Sequence, residues 1–214
     1  MSFSAGQTEA EAEAGAPTSA AARSRAETRR RLIEAGTELF ARDGLHGTTS
    51  TQIARAAGVA AGTFYLHFPD KQALFRAIAF DALARLRERL ALGREHAAGD
   101  REAVVRANME TLVAFAGEYR DLVRIVFGRG HEAGAVAEEM ADALFPGIEA
   151  RLRERIAEGL ADPGLHPAVA AQSLLAMWTR VLAWWVEDPS RAPREALVET
   201  LVRMHPIYTH ERAR

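Results

Sequence analysis

Within the segment from Thr48 to Lys71 the chain carries two helix starts, a glycine between them and a proline stop, an order that leaves few ways to fold. Thr49 followed by Gln52 has capping-box spacing, in which a hydroxyl accepts from the third backbone amide and the glutamine side chain answers back. A first short helix over about 49–57 turns Ile53 and Ala57 inward, and Ala54 is small enough for a second helix to cross closely. Gly58 suits the left-handed position that ends this helix. A second helix follows over about 60–67, with Val59 and Phe64 filling the angle between the two. Such an order is the grammar of a helix-turn-helix, whose second helix enters the major groove of duplex DNA. The turn alone is more often a helical hairpin that only packs. What favours DNA is the polar set around the second helix. Thr63, Tyr65 and His67 alternate with Phe64, Leu66 and Phe68, and Lys71 opens a new helix behind Pro69 and the N-cap Asp70. Hydroxyl, phenol, imidazole and ammonium donors all suit phosphate oxygens, and the amides of the new helix add anion-binding capacity.

The rest of the chain is built for helices. Alanine is about one residue in five, Gly (16) and Pro (8) are sparse in 214 residues, and β-branched residues are thin, so the fold class is all-α. With no Cys there is no disulfide scaffold, thiolate metal site or cysteine nucleophile, which is compatible with a reducing compartment. The net charge of −2 conceals an asymmetry. Residues 23–76 carry nine basic against five acidic groups, while the segments before and after each sum to −3. Of the 27 basic residues 26 are Arg, as a GC-rich genome encodes, and the one Lys is Lys71.

Apolar spacing predicts helices at about 26–42, 70–92, 101–117, 118–128, 134–159, 166–187 and 191–205 around the pair already described. Breaks fall at Asp43-Gly44, Gly99-Asp100, Gly128–Gly134, Asp162-Pro163-Gly164 and Asp188-Pro189, with Pro146-Gly147 kinking or splitting its helix. Residues 1–22 read as a disordered acidic tail without the charged start and apolar run of a secretory signal. The most apolar stretch, Ala168–Val186, contains Arg180 in mid-span and reads as a buried or interface helix, so no membrane partner is expected. The expected division is 1–22 tail, 23–76 DNA-binding domain and 77–214 helical ligand-binding and dimerisation domain, in a cytoplasmic protein.

Leu39-Phe40, Gly44, Thr48-Thr49, Ile53-Ala54, Ala57-Gly58-Val59, Gly62 through Phe68, Lys71 and Leu74-Phe75 agree together in register. Over about residues 27–78 this pattern resembles the DNA-binding domain of the tetracycline-repressor (TetR) family. The resemblance implies a dimeric regulator of transcription, a repressor released from double-stranded operator DNA by a small hydrophobic or amphipathic effector, with no cofactor. It assigns Thr49, Thr63, Tyr65, His67 and Lys71 to the DNA backbone, and places Thr51, Ala60 and Ala61 where relatives reach base edges, with Gln52 a further polar contact. Two alanines stand where longer polar side chains are common and Leu66 where a second aromatic is frequent, so the implied readout leans on phosphate register and DNA shape. Arg23–Arg31 reads either as a flexible arm adding backbone or minor-groove contacts or as a solvated first helical turn.

In the acidic remainder the resemblance implies an effector cavity and a dimer face. Phe115, Tyr119, Phe127, Met140, Phe145 and Trp178 are the candidate apolar lining, with Arg124, His131, Gln172 and Arg180 as polar anchors. Val181, Trp184 and Trp185 on the tryptophan-bearing helix, with Leu197, Leu201 and Met204 on the last, are the candidate interface. Enzyme readings find little support. The seven His are scattered without a His-Glu-x-x-His pair, and neither a P-loop nor a Gly-x-Ser-x-Gly elbow occurs.

Overall fold

The computed structural model describes residues 20–97, 101–128 and 133–205, and within them the chain is helical with no strand. In chain order the elements are α1 (Ala20–Gly47), α2 (Ser50–Ala56), α3 (Ala61–Tyr65), α4 (Lys71–His96), α5 (Arg101–Glu118), α6 (Arg120–Phe127), α7 (Gly134–Ala157), α8 (Pro167–Glu187) and α9 (Arg194–Arg203), with one 3-10 turn at Pro189–Arg191. All nine fall where apolar spacing predicts a helix. Of the expected tail, residues 1–19 lie outside the described residues, but Ala20–Ala22 belong to α1, which begins two turns earlier than the apolar pattern indicates. An Ala-Ala-Ala-Arg start has high helix propensity and contains no stop signal, so nothing local ends the helix there. Pro146 sits inside α7, which runs through it as one element.

Local chemistry accounts for the α2–α3 hinge. The Thr49 hydroxyl accepts from the Gln52 amide at 3.2 Å and the Thr49 amide donates to Gln52 Oε1 at 2.8 Å, which closes the capping box. At the other end Gly58 has φ +66°, its amide donates to the Arg55 carbonyl, and the Val59 amide reaches back to Ala54. Those two bonds form the Schellman pattern that satisfies the last carbonyls of a helix. Arg31 of α1 covers the remainder, its guanidinium donating to the carbonyls of Ala57 and Gly58. A Cβ at Gly58 would meet that guanidinium at 2.6 Å. Gly58→Ala is therefore expected to cost about 1–2 kcal/mol, the strain of a left-handed non-glycine residue with loss of the cap. Thermal unfolding checks it, and an unchanged melting curve would contradict this geometry.

One core cluster ties the N-terminal helices to the rest. Leu32, Leu39 and Phe40 of α1, Ile53 and Ala54 of α2 and Phe64 of α3 pack with Leu74, Phe75 and Ala79 of α4. Through Leu83 and Leu86 the cluster continues into Phe115, Ile125, Val136 and Met140 on α5–α7. The 76/77 division falls inside α4, which serves both halves as a shared wall. A second cluster joins α5, α8 and α9 around Met109, Val113, Trp185, Val198 and Leu201.

Candidate functional site

The surface made by α2, α3 and the α4 start carries no carboxylate between residues 44 and 69. Thr49, Thr51, Gln52, Ala60, Ala61 and Tyr65 are exposed on it, and Thr63 and His67 are half-buried. Leu66, at 72% exposure, is the most open large apolar side chain among the described residues and lies beside Tyr65 at the end of α3. The face is held from beneath by Phe64, fully buried and edge-on to Tyr65 at 5.4 Å.

Arg23–Arg31 is neither a flexible arm nor a merely solvated turn. It is the first part of α1, laid against the end of α3. The Arg25 guanidinium approaches the Leu66 carbonyl at 3.5 Å, Arg29 lies 5.1 Å over the Phe68 ring, and Arg30 pairs with Glu27 and Glu34. Partial burial first, then Arg25 and Arg29, hold the His67 imidazole below its ordinary value. The protein thereby adds two cations to the face at a point the 60–67 segment does not reach.

The Lys71 side chain, for which the resemblance implies a phosphate contact, is engaged within the protein. Its ammonium donates to the carbonyls of Leu45 at 2.8 Å, Thr48 at 2.8 Å and His46 at 3.3 Å, so all three N–H bonds are spent on the end of α1. A compact point charge meets three converging carbonyls better than a flat guanidinium fork does. Asp70 caps α4 as expected, accepting from the Ala73 amide at 2.7 Å.

Behind this face α4–α8 enclose a cavity of about 440 Å³, within the range of small-molecule sites. Phe115, Phe127, Met140 and Trp178 line it, as the sequence suggests. Five other candidates do not. Tyr119 stacks on Phe115 at 4.4 Å outside the lining, and Phe145 packs on the Leu152, Ala171 and Leu174 cluster. Gln172 and Arg180 are exposed on α8, and Arg124 points away to Asp121 at 2.9 Å and the Ala41 carbonyl at 3.3 Å. His131 lies outside the described residues. Apolar spacing cannot separate these cases, because both faces of several helices are apolar. The polar lining it misses comprises Arg87 and Arg94 on α4, Asn108 on α5, Arg151 and Arg155 on α7, Thr179 on α8 and His205. A legible signal was present in α4, where Arg87 and Arg94 interrupt the apolar stripe Leu83, Leu86, Leu90. Asn108 Oδ1 and Trp178 Nε1 are buried without a protein partner among the described residues.

Two polar links join the cavity walls to the N-terminal helices. Arg76 of α4 pairs with Glu139 of α7, and Arg124 of α6 holds Ala41 of α1.

The candidate interface residues divide between inside and outside. Trp185, Leu197 and Leu201 are buried in the protein's own core, with Trp185 Nε1 donating to the Ala192 carbonyl at 3.0 Å, and Val181 is half-buried against the same cluster. Trp184 (36% exposed) and Met204 (54%) stay on the surface. Among the described residues no group of three or more His, Asp or Glu is placed to hold a metal ion, and no helix is long and apolar enough to cross a membrane.

The sequence profile described as bacterial regulatory proteins, tetR family, matches residues 32–78. The chain is 32% identical over 130 residues to the uncharacterized HTH-type transcriptional regulator YdgC of Bacillus subtilis (strain 168), covering 59% of this chain and 67% of that one. To the HTH-type transcriptional regulator UidR of Escherichia coli (strain K12) it is 27% identical over 168 residues, covering 73% and 80%. In structure it is similar to the fatty acid degradation regulator FadR from Bacillus halodurans, with TM-score 0.71, 21% identity and coverage of 83% and 93%. The transcriptional regulator FadR from Bacillus subtilis, solved in complex with stearoyl-CoA, gives TM-score 0.66, 19% identity and coverage of 82% and 96%. At those identities the structural likeness carries the fold.

Proposed function

Because the chain belongs to the tetR family of bacterial regulatory proteins and is a DNA-binding transcriptional regulator, we propose that it is a homodimeric repressor released from operator DNA by a small hydrophobic or amphipathic effector. In this reading residues 23–76 are the DNA-binding unit and 77–214 the effector-binding and dimerisation unit. The observation that carries it is the carboxylate-free, exposed α2–α3 face joined through one helix, α4, to an internal apolar cavity.

The α3 helix enters the major groove. Thr49, Thr63, Tyr65 and His67 take phosphates, with Arg25 and Arg29 extending the track. Thr51, Gln52, Ala60 and Ala61 face base edges, where a methyl group packs on the thymine methyl. Two copies meet through the outer faces of α8 and α9, where Val169, Ser173, Ala176, Arg180 and Trp184 of α8 and Ala196, Thr200 and Met204 at α9 are exposed. A twofold axis there sets the recognition helices one DNA turn apart, about 34–36 Å. An effector that favours a conformer with another spacing weakens DNA binding, and DNA weakens effector binding by the same factor. The α4 helix is the lever, coupled to α7 by Arg76–Glu139, while the Arg124–Ala41 link ties α6 to α1. That a FadR protein of this fold was solved with stearoyl-CoA supports an occupant bearing a long apolar chain.

The test is retention of duplex fragments from the source genome on the purified protein, titrated with salt and then with effector candidates. Log affinity is expected to fall steeply and linearly with log salt, and a slope near zero would end the reading. At residue level, Ala61→Arg is expected to change which operators bind, by about 1–3 kcal/mol in favour of guanine-containing sites. An unchanged preference in a binding-site selection would show that Ala61 faces away from the bases.

A further inference from the structure

Charge inside the α4–α8 cavity is one-sided. Four arginines reach the lining, Arg87 and Arg94 from α4 and Arg151 and Arg155 from α7, and no aspartate or glutamate does. Seven residues separate the first pair and four the second, spacings that keep each pair on one side of its helix. Neighbours on the same helices are neutralised, Arg89 by Glu118 and Arg153 by Glu149. Arg87, Arg94 and Arg151 make no ion pair among the described residues, although Arg87 donates to the Ala143 carbonyl. Of all the lining residues only Arg87, Gly147 and Arg151 are exposed, so the cavity meets solvent between α4 and α7 with a guanidinium on either side.

The positive charge here is arginine alone. Burial and the Arg155 guanidinium push His205 down to about 4, so its imidazole is neutral near pH 7. Burial, and then the nearby Arg151, hold Arg94 below the ordinary arginine range against the opposing pull of Glu95, while leaving it a cation. A half-buried guanidinium beside an apolar wall is costly, and two like charges close together more so. An anion that accepts from both helices relieves both penalties, with the charge-assisted bonds for which the guanidinium fork is shaped.

We propose that the occupant of this cavity is an anionic amphiphile, its apolar body lying among α4–α8 and its carboxylate or phosphate head held between Arg87 and Arg94 on one side and Arg151 on the other. The inference rests on the effector reading above and narrows it to negatively charged compounds. A cationic amphiphile meets guanidiniums on both walls, and a neutral one leaves them unanswered.

Calorimetric titration of the intact chain with compounds of one chain length, kept below their micelle concentrations, tests it. The arms are laurate, dodecyl phosphate, lauroyl-CoA, 1-dodecanol and dodecyltrimethylammonium. At least one anionic arm is expected to bind about tenfold or more tighter than dodecanol, with the cation weakest. Whichever anion binds best assigns the head as a free acid, a phosphate or a phosphate-bearing thioester. Arg94→Met is expected to weaken that anion about tenfold or more while dodecanol stays within about threefold. The same variant raises the melting temperature of the ligand-free protein, because a half-buried cation leaves the side of a like charge, and a misfolded variant cannot imitate that rise. If dodecanol or the cation binds as tightly as the best anion, the charge inference is overturned and the effector reading stands. Silence in every arm overturns both.

Discussion

Replacing Phe64 with alanine is expected to destabilise the N-terminal helices by about 3–5 kcal/mol, the usual cost of deleting a buried phenyl ring. The ring is at 0% exposure, 5.4 Å from Tyr65 and 6.0 Å from Phe68, and it belongs to the cluster that seats α2 and α3 on α1 and α4. Those two helices have seven and five residues, far too short to persist without tertiary packing. The loss is therefore local as well as large. Duplex retention disappears at every salt concentration, while ligands of the α4–α8 cavity still bind. Denaturant unfolding and DNA retention of the same preparation measure it. A cost under about 1 kcal/mol with retention intact would show that the α3 seat is held by something other than this ring.

Lys71→Met is expected to cost about 2–3 kcal/mol in the DNA-free protein, because three carbonyls lose a charged donor at once. Lys71→Arg is expected to recover less than half of that loss, since a planar fork cannot point three donors at the Leu45, His46 and Thr48 carbonyls together. The opposite result is equally readable. Unfolding like the parent's, with a salt slope for DNA binding reduced by about one, would return Lys71 to the phosphate role that its register implies.

How far the chain reads without its structure depends on the span of each interaction. Thr49 and Gln52 are three residues apart and Gly58 closes a helix that begins at Ser50, so the α2–α3 hinge could be deduced from spacing and stereochemistry. The start of α1 was not deducible, because Ala20–Ala22 continue a helix without a boundary signal and Arg25 and Arg29 settle on Leu66 and Phe68, about forty residues away. Trp184 and Trp185 are adjacent on an apolar helix, and only the packing of α5 and α9 puts one inside and leaves the other on the surface. Likewise α6 turns Arg124 toward Ala41, while α4 turns Arg94 into the cavity wall.

The sequence by itself determined the helical class, the order of the elements and the geometry of the α2–α3 turn. These are written in hydrogen bonds and apolar spacing within a few residues, although the two short helices persist only on the packing that α1 and α4 supply. Tertiary structure alone decided what the charged side chains do. Bringing α4 against α7 sets four arginines around one cavity without a carboxylate, and bringing α1 against the start of α4 spends the single lysine on three carbonyls. A long side chain with a charge at its tip takes its role from whichever element lies across from it, and that neighbour is separated by tens of residues.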